Sequence, residues 1–127
     1  EMLRSLVGSE MCIRDRFLHT TRLDLDDYNN EGEQGLHITS MPGSWLAIVR
    51  GFAGLQIHKK ILSFSPVLPA KWNSYSFKVN YLGNTLHIKV GKEIRISIIT
   101  GDRLKIQVYG HPYEVRKGED LIIKRKE

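Results

Sequence analysis

Ser76-Phe77-Lys78-Val79-Asn80-Tyr81 and Leu86-His87-Ile88-Lys89-Val90, separated by a turn at Gly83-Asn84, are the stretch that decides the fold. Apolar and polar residues alternate through both halves, and a period of two sends successive side chains to opposite faces of a strand. A Gly–Asn pair between two such runs is hairpin chemistry. The pattern repeats downstream as Ile94-Arg95-Ile96-Ser97-Ile98, a turn at Gly101-Asp102, then Leu104-Lys105-Ile106-Gln107-Val108. Tyr113-Glu114-Val115 and Leu121-Ile122-Ile123 close the series around Lys117-Gly118. Short strands with turn signals at this spacing predict an antiparallel β-sandwich with one wet face per sheet. His87, between Leu86 and Ile88, is expected on a wet face.

Working outward, Pro66, Pro69 and Trp72 mark an irregular connection ahead of the strands. Upstream of it, Trp45, Ile48, Val49, Phe52 and Leu55 recur at helical spacing. Pro42 and Gly43 read as breakers before this helix and Ser44 as its cap. An apolar stripe of this kind assigns Trp45 and Phe52 to a core. Further upstream, Asp26-Asp27-Tyr28-Asn29-Asn30-Glu31-Gly32-Glu33 is turn chemistry. The first residues, to about Arg16, fit neither helix nor strand; Leu6 to Arg16 resembles a peptide produced when sequencing-adapter DNA is translated.

The chain of 127 residues is long enough to bury a real core. It has no apolar run near the roughly 20 residues that a bilayer span needs, so no membrane partner is expected. Its single cysteine, Cys12, provides neither a disulfide nor a zinc cluster. That usage favours a reducing, cytoplasmic setting. The net charge of +5 is uneven: Asp24, Asp26, Asp27, Glu31 and Glu33 face only Arg22 between residues 17 and 36, whereas Lys117, Lys124, Arg125 and Lys126 gather at the C-terminal end. Without interleaved aromatics or a nucleic-acid motif, these cations read as a solvated strand edge rather than a nucleic-acid surface.

The candidate chemistry lies in Gly35-Leu36-His37-Ile38-Thr39-Ser40-Met41-Pro42-Gly43-Ser44-Trp45. An imidazole at His37 and hydroxyls at Thr39 and Ser40 stand just ahead of a helix start, where unpaired N–H groups and the helix dipole favour an anion. The residues alone leave this reading open beside that of a structural histidine. Ser40 lacks a nucleophile elbow and an identifiable acid–base partner. Asp24, Asp26 and Asp27 lack the spacing of a calcium loop and read as turn and cap residues. His19, His58, His87 and His111 do not share metal-ligand spacing on one element, so no metal is expected.

Thr21-Arg22-Leu23-Asp24-Leu25-Asp26-Asp27-Tyr28-Asn29-Asn30, Gly35-Leu36-His37-Ile38-Thr39-Ser40-Met41 and Gly43-Ser44-Trp45 together resemble the C-terminal part of glycoside hydrolase family 65. Gly51-Phe52-Ala53-Gly54-Leu55, Leu62-Ser63-Phe64-Ser65-Pro66, Leu68-Pro69, Trp72 and Ser76-Phe77 continue the likeness, which runs from about Phe17 to the C-terminus. Pro42 departs from the small residue usual in the family, which implies a slightly altered loop.

The resemblance implies a mainly β fold, in which a C-terminal antiparallel β-sandwich follows a loop and the last helix of a truncated (α/α)6 barrel. The implied organisation is an artefactual leader over 1–16, the end of the catalytic barrel with a phosphate-binding loop over 17–58, and the sandwich over 59–127. His37, Thr39 and Ser40 become ligands of inorganic phosphate, a substrate rather than a cofactor. The family contains inverting phosphorylases of maltose, trehalose and kojibiose, and the Leu23–Asn29 form points to maltose, converted to β-glucose 1-phosphate and glucose. The general acid is a glutamate expected upstream, so the segment is expected to be inactive alone. The parent is expected to be a cytoplasmic homodimer. Alternative expectations are a noncatalytic β module supporting carbohydrate binding, a trehalose or kojibiose phosphorylase, and a hydrolase of the same family.

Overall fold

The computed structural model describes residues 14, 15, 17–22 and 40–126. The chain divides into two compact units, Glu1–Phe52 and Ala53–Glu127.

In the first unit, residues 14, 15 and 17–22 are helical (α1), so helix begins within the stretch to about Arg16 that was expected to be neither helix nor strand. Thr21 Oγ1 donates to the Phe17 and Leu18 carbonyls at 2.9 and 3.1 Å. A second helix, α2, spans Ser40–Leu46 and continues as a π-helical stretch over Ala47–Phe52. The expected helix start was Ser44, yet Ser40 to Gly43 are already helical. The first turn of a helix has no intrahelical acceptors for its N–H groups, so Pro42 loses nothing there. The apolar stripe also divides. Val49 and Phe52, within the π segment, are buried, whereas Trp45 is 45% exposed. The wider π turn shifts the angular step between residues, so a three-and-four spacing no longer holds one face. Trp45 is therefore not the core residue that the spacing predicted. Phe52 is, and its ring meets Phe17 edge-on at 6.5 Å.

The second unit is a sandwich of two four-stranded sheets. Its strands are β1 (Gln56–His58), β2 (Ile61–Phe64), β3 (Tyr75–Tyr81), β4 (Asn84–Val90), β5 (Glu93–Thr100), β6 (Arg103–Val108), β7 (His111–Arg116) and β8 (Leu121–Lys124). One sheet runs β1-β2-β6-β7 and the other β3-β4-β5-β8. The strands from β3 to β8 are those read from alternation. The series begins earlier, however, because β1 and β2 precede the proline-marked connection and β1 starts at Gln56 rather than beyond residue 58. The sandwich is also not wholly antiparallel. β2 runs parallel to β6, pairing Leu62 with Ile106 and Phe64 with Val108.

Inward residues follow the period-two rule. Leu86, Ile88 and Val90 of β4 and Ile94, Ile96 and Ile98 of β5 are buried, as are Leu62, Phe64, Ile106, Val108 and Val115 of the other sheet. Phe64 and Phe77 join the two layers, their ring centroids 6.4 Å apart. A register shift between Thr85 and Leu86 sets Thr85 opposite Thr100 and Leu86 opposite Ile98. The extra residue, Ile99, is left exposed, as a bulged position is.

Three hairpins turn on pairs of residues with positive φ: Lys59-Lys60, Leu82-Gly83 and Tyr109-Gly110. Two successive left-handed residues match the twist of the flanking strands. The turn expected at Gly83-Asn84 therefore sits one residue earlier, and Asn84 opens β4. Asn84 is the buried polar residue of the sandwich, and its side chain explains the shift. Its Nδ2 donates to the Leu82 carbonyl at 3.0 Å, and its Oδ1 accepts from the Asp102 N–H at 3.1 Å. This one side chain ties the β3–β4 hairpin to the Gly101-Asp102 link by which the chain passes from one sheet to the other.

Candidate functional site

The anion-site residues fall at the start of α2. Ser40 is the first residue of that helix, while His37 and Thr39 lie outside the described residues, as do Asp24, Asp26 and Asp27. The helix thus begins within the hydroxyl-bearing segment, at Ser40. Gly43 faces Thr20 of α1, where a Cβ would make an ordinary van der Waals contact, 3.6 Å from Thr20 Cγ2. Trp45 and Leu46, at the end of α2, present exposed apolar surface, and Leu18 of α1 does so as well.

In the sandwich, the histidines are dispersed. His58 lies in β1, His111 in β7 and His87 in β4, where His87 is half-buried beside the buried Leu86 and Ile88. Among the described residues no three His, Cys, Asp or Glu side chains are placed to hold a metal ion. The ion pair at Arg116 Nε and Glu114 Oε1, 2.8 Å long, holds the Glu114 carboxyl below its ordinary range, through the hydrogen bond first and the guanidinium charge second. The Arg116 side chain is 63% exposed and that of Glu114 31%, so the pair organises surface charge rather than a reactive centre.

Two tyrosines that the strand pattern did not single out brace the proline-marked connection. Tyr75 donates through its hydroxyl to the Val67 carbonyl at 3.0 Å, and Tyr109 donates to the Pro66 carbonyl at 2.5 Å. Burial pushes both phenols up. The aromatic Tyr75 also packs edge-on against Trp72 at 6.0 Å and stacks on Phe77 at 6.4 Å. The sequence signal was the connection itself: a proline-rich segment over a sandwich leaves carbonyls that need donors. At the C-terminal end, Lys126 Nζ lies 5.3 Å from the Tyr109 ring centroid, and Arg125 Nε donates to the Gly91 carbonyl at 3.1 Å. Two of the terminal cations thus have structural partners.

Comparison with known proteins agrees with this architecture. Residues 55–115 match the family described as glycosyl hydrolase family 65, C-terminal domain. The chain is 47% identical over 115 residues to maltose phosphorylase of Bacillus subtilis (strain 168), covering 87% of this chain and 15% of that protein. It is 42% identical over 108 residues to α,α-trehalose phosphorylase of Geobacillus stearothermophilus, covering 84% of this chain and 14% of that protein. A solved structure named "Putative kojibiose phosphorylase from human microbiome" superposes with a TM-score of 0.77 at 44% identity, over 86% of this chain and 15% of that one. The chain therefore spans about 15% of the length of the relatives it matches.

Proposed function

The chain belongs to glycosyl hydrolase family 65, and from that premise we propose that it forms the C-terminal part of an inverting α-glucoside phosphorylase acting on maltose. The observation that carries the reading is the identity of 42–47% to a maltose and a trehalose phosphorylase over more than four-fifths of the chain. The greater identity to the maltose enzyme supports maltose over trehalose.

In this reading His37, Thr39 and Ser40 hold inorganic phosphate with the free N–H groups at the start of α2. A phosphate oxygen attacks the anomeric carbon of the α-glucoside as the glycosidic C–O bond breaks. A carboxylic acid on the opposite side, supplied by a glutamate upstream of this segment, protonates the departing sugar oxygen. The products are β-glucose 1-phosphate and glucose. Phosphate replaces the activated water of an inverting hydrolase, so no second carboxylate base is needed. The sandwich supports the catalytic part. We place the parent in the cytoplasm and take it to be a homodimer, a size that size-exclusion chromatography of the complete protein checks.

The test uses the complete protein with maltose, trehalose and kojibiose. Phosphate-dependent release of glucose 1-phosphate is expected, fastest from maltose. Glucose release indifferent to phosphate would support the hydrolase instead. His37→Gln and Ser40→Ala are expected to raise the KM for phosphate more than that for the sugar, and unchanged phosphate dependence would overturn their assignment.

A further inference from the structure

Charge is divided between the halves of this chain. Residues 53–127 carry fourteen Lys and Arg against six Asp and Glu, whereas residues 1–52 carry five against eight. Part of the basic excess is concentrated where the sheet register works against it. Lys89 of β4 stands directly opposite Arg95 of β5 in the antiparallel ladder, both exposed on the outer face. Directly opposed side chains begin about 5 Å apart, and like charges so placed destabilise a sheet.

The surroundings add one cation, Lys92, and two carboxylates, Glu93 and Asp120, so the group as a whole keeps a net charge of +1. Lys92, in the β4–β5 turn, lines the same concavity of about 330 Å³, together with Ser74, Asn73 and the carboxylate of Glu93. Arg95 reaches Asp120 only at 3.9 Å, with both side chains half-exposed. Three cations and a hydroxyl thus surround a recess large enough for a tetrahedral oxyanion and a small substituent. The turn beneath it is braced: the Gly91 N–H donates to the Glu93 carbonyl at 3.0 Å, and Arg125 holds the Gly91 carbonyl from the other side. No aromatic side chain lines the recess, which disfavours a stacked sugar or base.

We infer that this recess is a second anion site, separate from the α2 loop, which binds a phosphate group through Lys89, Arg95, Lys92 and the Ser74 hydroxyl. Charge-assisted hydrogen bonds from the guanidinium and ammonium groups supply the affinity. The bound anion relieves the Lys89–Arg95 repulsion, so binding stabilises the folded sandwich. The shared chemistry is a phosphate dianion, either free or carried by a small phosphate monoester.

The test is an amide chemical-shift titration of the full 127-residue chain with inorganic phosphate, and separately with glucose 1-phosphate, at constant ionic strength set with chloride. Saturable shifts are expected at Ser74, Lys89, Gly91, Lys92 and Arg95. Equal affinities identify free phosphate as the ligand, and tighter binding of the ester identifies a sugar phosphate. Lys89→Gln with Arg95→Gln should weaken binding by at least about tenfold, the loss of one charge-assisted hydrogen bond. Arg103→Gln with Lys105→Gln, on the other sheet, should leave it unchanged. Thermal unfolding provides the fold control: phosphate raises Tm of the original chain, and this rise vanishes in the Lys89/Arg95 variant. Shifts that merely follow salt concentration, or equal binding by that variant, would overturn the proposal. Saturation confined to residues 37–40 would overturn it too, while leaving the phosphate loop standing.

Discussion

The side chain of Asn84 occupies the space that a Cβ on Gly101 would need. An alanine methyl there would stand 2.7 Å from Asn84 Cγ and closer still to Oδ1, on a backbone with φ of +113°. Both the contact and the left-handed conformation exclude a larger residue. Gly101→Ala should therefore cost about 2–4 kcal/mol. Asn84→Ala, which leaves the Asp102 N–H and Leu82 carbonyl without their partner, should cost about 1–3 kcal/mol. Because the two residues share one contact, the double variant is expected to cost less than the sum. Denaturant unfolding of all four proteins measures the coupling, and strict additivity would refute it.

The Lys59-Lys60 hairpin holds two non-glycine residues at φ of 48° and 62°. Side chains with a Cβ are disfavoured there, and Asn-Gly is the pair suited to such a turn. Lys59→Asn with Lys60→Gly should raise stability by about 1–2 kcal/mol, read as a higher denaturation midpoint at unchanged m-value. A lower midpoint would mean that the lysine side chains contribute more than their backbone costs.

Burial, reinforced by Tyr109 and opposed by Arg125, raises the Tyr75 phenol above its ordinary value of 10. In the unfolded chain this phenol loses its proton near pH 10 while the folded one keeps it. The unfolded state then binds fewer protons, so stability is complete below pH 10 and falls as pH rises beyond it. Tyr75→Phe should flatten that alkaline slope and cost about 1 kcal/mol at neutral pH through the lost bond to Val67. An unaltered slope between pH 9 and 11.5, followed by thermal unfolding, would exclude Tyr75 as its source.

Trp45 and Phe52 should part company under truncation. Phe52→Ala removes a buried ring in contact with Phe17 and is expected to cost about 3–5 kcal/mol. Trp45→Ala removes an exposed ring and should stay within about 0.5 kcal/mol in this chain. Circular dichroism during urea unfolding gives both values, and equal losses would contradict the division of the stripe.

The strands were legible from β3 to β8 because one buried face and one wet face impose alternation directly on neighbouring residues. β1 and β2 were not, since Gln56-Ile57-His58 and Ile61-Leu62-Ser63-Phe64 are too short to establish a period. Their place depends on β6, a distant strand with which β2 pairs in parallel. The α2 start was displaced because Pro42 and Gly43 read as breakers, although a first turn tolerates them.

The sequence by itself determined the alternating core of the sandwich, the turn-rich spacing of its strands, and the hydroxyl-and-imidazole segment His37–Ser40 before a helix. Those properties are carried by neighbouring residues and by the chemistry of single side chains. Only the tertiary structure decided that Asn84 belongs to a strand and locks the sheet crossing at Asp102. Tertiary structure likewise set Lys89 opposite Arg95 and left Trp45 exposed while Phe52 is buried. Such relations join residues through register, strand order and helical pitch, none of which is a property of any one stretch of chain.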